Sequence, residues 1–148
     1  MKGDISNQVV PVLILVFEGA LGKLASEDEK TFEKAYRRKQ WKKAVDLWDI
    51  NEPLCWQMMR VVMSNKNSIE VVTFIGQDQD EYVECLEDRL QNKEDLPVRR
   101  VWATEPHLLA RKVTMRNDVA AVYDPDPARR FTYGGKGRVL QRIAQFGA

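Results

Sequence analysis

The chain has 148 residues, 44% hydrophobic and 30% charged: enough for one domain with its own core, and too apolar for a disordered segment. Its 23 basic and 22 acidic side chains leave a formal charge of +1, so no global field draws it to nucleic acid or a membrane, and a polyanion site must be a local patch. Cys55 and Cys85 lack CxxC spacing and His107 is the sole histidine, which argues against a zinc site and for a reducing, cytoplasmic setting with both thiols packed as small hydrophobes.

In chain order, Val9 to Phe17 is a continuous apolar run rich in β-branched residues, closed by the turn Glu18-Gly19-Ala20-Leu21-Gly22. It is too short to span a bilayer and lacks the basic flank and cleavage site of an export signal. A strand buried on both faces is expected, with Pro11 near its start because proline has no N–H for the ladder. Ser26-Glu27-Asp28-Glu29 has the spacing of a capping box, predicting a helix that carries Phe32 and Tyr36. Trp41, Val45 and Trp48 follow at i, i+4 and i+7, one apolar helical stripe. A further helix is expected over Leu54 to Met63, ended by the polar cluster Ser64 to Ser68.

Ile69 to Ile75 reads as a second strand broken by Gly76, and Asp78 to Leu90 returns to helical spacing through Tyr82, Val83, Leu86 and Leu90. Pro97 to Ala103 reads as a third strand, Glu105 to Arg111 as a short helix and Val119 to Tyr123 as a fourth strand, with a last strand expected over Val139 to Ile143. Strands alternating with helices imply right-handed crossovers. The fold class is therefore α/β, a three-layer sandwich around a central parallel sheet (Rossmannoid), in one domain over residues 1–148.

Ligands in open parallel sheets bind outside the carboxyl ends of the strands, so the residues just past each strand carry the functional information. There stand Val16-Phe17-Glu18-Gly19-Ala20-Leu21 after the first strand, Thr73-Phe74-Ile75-Gly76-Gln77 after the second and Asp124-Pro125-Asp126 after the fourth. Their order resembles the haloacid dehalogenase (HAD-like) superfamily, whose first motif is Asp-x-Asp-Gly-Thr-Leu. The layout from Val9 to Phe146 is most similar to the phosphatase domain of polynucleotide kinase-phosphatases.

That resemblance implies a carboxylate nucleophile, a second acid two residues on, a hydroxyl that holds the transferring phosphoryl, a lysine and Mg²⁺. The nucleophile position holds Val16, which has no lone pair to attack with, and the second acid is Glu18. If the register slides so that Glu18 is the nucleophile, its partner becomes Ala20. The hydroxyl position holds Ile75 and the arginine after it is Gln77, with Thr73 two residues early and deeper in the sheet. Lys112 stands at the lysine position and Asp124 at the metal-binding acid. A Mg²⁺ ion would have Glu18, Asp124 and Asp126 for ligands; the structural alternative is that Asp124 and Asp126 cap a turn and the next helix.

Arg37-Arg38-Lys39-Gln40-Trp41-Lys42-Lys43 sets five cations beside Tyr36 and Trp41. It is either a surface for a partner or phosphates, or a solvated helix face offsetting the acidic Glu27 to Glu29. Arg37, Arg38, Trp41, Lys42, Lys43 and Trp48 are the expected partner-binding residues, because exposed aromatics and arginines anchor interfaces. The alternative for the tryptophans is core packing. A second basic run, Arg129, Arg130, Lys136, Arg138 and Arg142, borders Gly134-Gly135-Lys136-Gly137, which lacks Walker A spacing and reads as a turn. His107 behind Pro106 reads as a helix-start residue.

The leading expectation is a catalytically degenerate HAD-like domain, a pseudoenzyme that binds another protein or regulates. The alternatives are a Mg²⁺-dependent nucleotide or polynucleotide phosphatase with a shifted acid set, and a non-catalytic nucleic-acid binder. A phosphatase-derived fold of this size without a kinase half suits a viral (phage) or mobile-element protein directed at host machinery.

Overall fold

The computed structural model describes residues 10–65 and 67–138. Its centre is β1 (Val12–Val16), every residue of which is buried. Alternation explains the unbroken apolar run: Leu13, Leu15 and Phe17 point into one hydrophobic cluster, and Val12, Ile14 and Val16 into a second on the opposite face. Pro11 lies just ahead of the strand, where its missing N–H costs nothing and its carbonyl accepts from Ser68 N at 3.0 Å.

The remaining elements are β2 (Gly22–Lys23), a 3₁₀ turn (Ser26–Asp28), α1 (Glu29–Arg37), α2 (Trp41–Asp46), β3 (Asp49–Ile50), α3 (Glu52–Asn65), β4 (Ser68–Thr73), α4 (Asp80–Asp88), a π turn (Arg89–Lys93), β5 (Val98–Ala103), α5 (Pro106–Thr114), β6 (Val119–Tyr123), α6 (Pro127–Arg130) and β7 (Gly137–Arg138). Five strands form one parallel sheet in the order β5-β4-β1-β6-β7. The expected α/β class with a parallel central sheet and helices on both faces is what the chain forms. Phe32, Ala35, Ala44, Val45, Leu54, Met58, Tyr82 and Leu86 bring α1 to α4 onto one face, while Leu109 and Val113 bring α5 onto the other.

Two local expectations change, and a third is untested. Ser26 does not cap a helix through its side chain: the segment closes a 3₁₀ turn, with Asp28 N on Ala25 O at 2.9 Å, and α1 starts behind it. The helix through Trp41 stops at Asp46, and Asp49–Ile50 turns back to pair antiparallel with Gly22–Lys23, a ribbon too short for any periodicity to announce. The strand expected over Val139 to Ile143 lies outside the described residues.

The chain order places the functional end of the sheet. From β1 it steps outward to β4 and β5, then crosses to β6 and β7 on the other side of β1. The order reverses between β1 and β6, and in open parallel sheets ligands bind outside the carboxyl ends of the strands at that switch point. The loop after β1 is tight, with Gly22 N on Phe17 O at 2.8 Å. A Cβ at Gly22 would lie 2.2 Å from the Phe17 ring, so glycine is required for that ring to reach the core.

Candidate functional site

At the switch point the side chains that could carry chemistry are spent on one another. Val16 is fully buried among Ile14, Val72, Leu109 and Val122, and Ala20 is buried in the opposite cluster. Glu18, half-buried, leans across to the end of β4. Its Oε2 accepts from Thr73 Oγ1 at 2.5 Å and its Oε1 from Phe74 N at 2.9 Å. Thr73, from its deeper position, thus ties β4 to the β1 loop. No cation faces this carboxylate in its hydrogen bonds; burial raises its pKa above the usual 4.5, and the bonds from Thr73 and Phe74 only partly oppose that.

Asp124 is fully buried at the end of β6 and carries four hydrogen bonds. Arg129 Nε and Nη2 donate to Oδ2 and Oδ1 at 2.8 and 3.0 Å, Asp126 N to Oδ1 at 2.9 Å, and Tyr133 Oη to Oδ2 at 2.5 Å. The local sequence makes this fold-back: Asp126 caps α6 by accepting from Ala128 N at 2.9 Å, and Pro127 at the first helical position starts a turn that returns Arg129 to Asp124. Arg129 Nη1 also lies 3.2 Å from Asp126, and its guanidinium sits 4.9 Å from the centroid of Phe74. Arg130 is held on the Asp124 carbonyl at 3.0 Å. Tyr133 is buried, and burial and the Asp124 carboxylate together push its phenol above the ordinary range.

The Mg²⁺ implied by the resemblance does not fit these residues. Both oxygens of Asp124 already accept from a guanidinium, Glu18 is turned to Thr73 and Phe74, and Asp126 spends an oxygen on its own helix. Among the described residues no group of three acids, cysteines or histidines is arranged to hold a metal ion. Arg129 supplies at Asp124 the positive charge that a bound cation would bring.

Elsewhere the structure separates what the motifs suggested together. Lys112 lies in the last turn of α5, 5.9 Å from the Trp102 ring centroid. Since α5 runs from the carboxyl end of β5 to the amino end of β6, Lys112 and Asp124 lie toward opposite ends of the sheet. Ile75 packs against the larger cluster, and Gln77 Nε2 donates to the carbonyls of Phe74 and Thr104, fastening β4 to β5. His107 is exposed at the start of α5 near Glu105. Both cysteines are free and half-buried, and burial pushes the Cys55 thiol up to about 11.

The expected partner surface divides in two. Arg37, Arg38, Lys39, Lys42 and Lys43 are all exposed on the knuckle between α1 and α2. Lys39, at φ 57°, ends α1 with Lys39 N on Tyr36 O and Gln40 N on Ala35 O, a Schellman stop. Only Lys42 of the five has an acidic partner among the described residues, Asp46 at 3.7 Å. Trp41 is half-buried, edge-on to Tyr36 and Tyr82. Trp48, expected with the surface residues, is instead 6% exposed and packs edge-on against Phe17 and Phe32, because α2 has ended and the chain turns inward before β3.

No protein-family model matches the chain, and no curated protein or solved structure matches it. Among the described residues no helix is long and apolar enough to cross a membrane.

Proposed function

We propose that this chain is a non-catalytic, HAD-like binding module that contacts an acidic protein partner through the α1–α2 knuckle. One observation carries the reading: at the switch point Arg129 is hydrogen-bonded to both oxygens of Asp124, with Val16 buried where the resemblance calls for a nucleophile. A phosphoryl group needs an acid to attack it and a cation to neutralise it, and here the acid is absent and the neutralised charge is the chain's own. The knuckle supports the binding half of the proposal, since Arg37, Arg38, Lys39 and Lys43 present charge with no acidic partner among the described residues.

The test has two arms. With Mg²⁺ and either para-nitrophenyl phosphate or a 3′-phosphorylated oligonucleotide, turnover is expected at background; turnover abolished by both Glu18→Gln and Asp124→Asn would establish the phosphatase instead. In the second arm, capture of a protein from the native host is expected to persist at moderate salt and to weaken in Arg38→Ala while the domain stays folded. Recovery only of nuclease-sensitive material, lost steeply on raising the salt as counterion release demands, would make the knuckle a nucleic-acid site.

A further inference from the structure

Among the described residues the sheet ends on one side at β5, so one row of its backbone groups has no described strand to pair with. Thr104 N bonds across to Thr73 O at 3.1 Å; alternation then turns the Trp102 amide to β4 and the N–H and C=O of Val101 and Ala103 to the open edge. The lower part of that edge is closed by side chains. Glu87 accepts from Val101 N at 2.9 Å, Gln91 Nε2 donates to the carbonyls of Val98 and Arg99 at 2.9 and 3.3 Å, and the register shifts between Val98 and Arg100, leaving Arg99 as a bulge. These are devices that stop a strand from adding along its whole length.

They leave the Val101 carbonyl and the Ala103 N–H, on two of the residues that line a groove of about 410 Å³ together with Trp102 and with Asp80, Val83 and Glu84 of α4. Neither Asp80 nor Glu84 has an ion-pair partner among the described residues. Trp102 turns its side chain to the α5 face of the sheet, where its indole N–H donates to the buried Glu70 at 2.9 Å and Arg100 and Lys112 lie 5.5 and 5.9 Å from the ring centroid.

We propose that this groove takes a short extended basic peptide segment of a partner protein. In parallel register, one residue of that segment donates its N–H to Val101 O and accepts from Ala103 N with its C=O, and a lysine or arginine beside it meets Asp80 and Glu84. A carbonyl at one residue and an N–H two residues on is the pair that a single residue of a parallel strand satisfies. The unpaired acids choose the sign of the side chain. No residue of the α1–α2 knuckle lines this groove, although Tyr82 of α4 packs on Tyr36 and Trp41, and the proposal takes nothing from the function proposed above, so it stands or falls independently of it.

The test titrates the full chain into a fluorescein-labelled Val-Lys-Val-Lys-Val peptide, followed by fluorescence anisotropy and by amide NMR shifts. Binding is expected with the largest shift at the Ala103 amide. It should weaken about tenfold or more in Asp80→Asn/Glu84→Gln, the size of one or two charge-assisted contacts, and be lost when the central peptide nitrogen is methylated. Absence of binding at millimolar protein would overturn the proposal, as would equal binding of Val-Glu-Val-Glu-Val, unchanged affinity in the double variant, or shifts confined to residues away from β5. So would sedimentation showing that the edge instead pairs two copies of the chain in a dimer that the double variant dissolves.

Discussion

Asp124 and Glu70 are both fully buried carboxylates in the same sheet, and each is held by an arginine that returns from a later loop or turn. Asp124 sits just past β6, at the carboxyl end of the sheet where the strand order reverses. Glu70 sits in the body of β4, on the face covered by α5, with Arg116 Nη1 and Nη2 at 2.8 and 2.9 Å, Trp102 Nε1 at 2.9 Å and Arg100 Nη2 at 3.3 Å. Arg116 in turn holds Asp118, which binds the start of β6 into the same network. One device, a guanidinium closing on a buried acid, therefore serves this chain both at the switch point and in the body of the sheet. That equivalence favours a structural role for Asp124 over a latent metal ligand.

Removing the arginine from each acid sharpens the comparison, and the larger effect is expected at Glu70. Arg116→Ala leaves that carboxylate at 0% exposure with only the half-exposed Arg100 and one indole N–H. The expected loss is about 3–5 kcal/mol, the range for breaking a buried ion pair, read from the urea midpoint by circular dichroism. Arg129→Ala leaves Asp124 the Tyr133 hydroxyl and the Asp126 N–H, and Arg129 itself is 28% exposed. A smaller loss of about 2–3 kcal/mol is expected, partly recovered in Arg129→Ala/Asp124→Asn, where no unpaired charge remains. If Arg129→Ala is instead restored to wild-type stability by millimolar Mg²⁺, Asp124 belongs to a metal site after all and the two acids are not equivalent.

The contrast also shows which features sequence can carry. The run from Val12 to Val16 was legible because both faces of β1 are apolar, and Asp124 because an acid directly past a strand is where site residues stand. Glu70 interrupts Ile69 and Val71 as any polar strand residue does, and its arginine lies 46 residues away, so neither end signals the other. Arg129 reads as one member of a basic run, since meeting Asp124 depends on the single turn of α6. Trp48 continues the helical spacing of Trp41 and Val45, and nothing local announces that α2 stops two residues earlier. Strand order is likewise absent from local pattern, and with it the fact that β5 is an edge.

Glu18 completes the comparison as the acid without an arginine, and its effect is expected to be the smallest and opposite in sign. Glu70 would be raised by burial alone, but Arg116, Arg100 and Trp102 outweigh burial and lower it below the usual 4.5; Arg116 lowers Asp118 below its usual 3.8. Groups lowered in the folded state contribute stability above their unfolded values and lose it as pH falls through the folded ones. Glu18 is raised, chiefly by burial, so its contribution is complete below about its unfolded value and is lost as pH rises through the folded one. Unfolding free energy should therefore climb out of acid as Glu70 and Asp118 ionise, then lose part of that gain as Glu18 ionises. Glu18→Gln keeps an oxygen for Phe74 N, and the Thr73 hydroxyl, released from donating to the carboxylate, has the Ile75 carbonyl at 3.3 Å to turn to. The variant should match wild type in acid, exceed it toward neutral pH and lack the descending arm. Urea midpoints for both proteins between pH 3 and 8 decide it, and two parallel curves would mean that Glu18 has charge compensation equivalent to that of the other two acids.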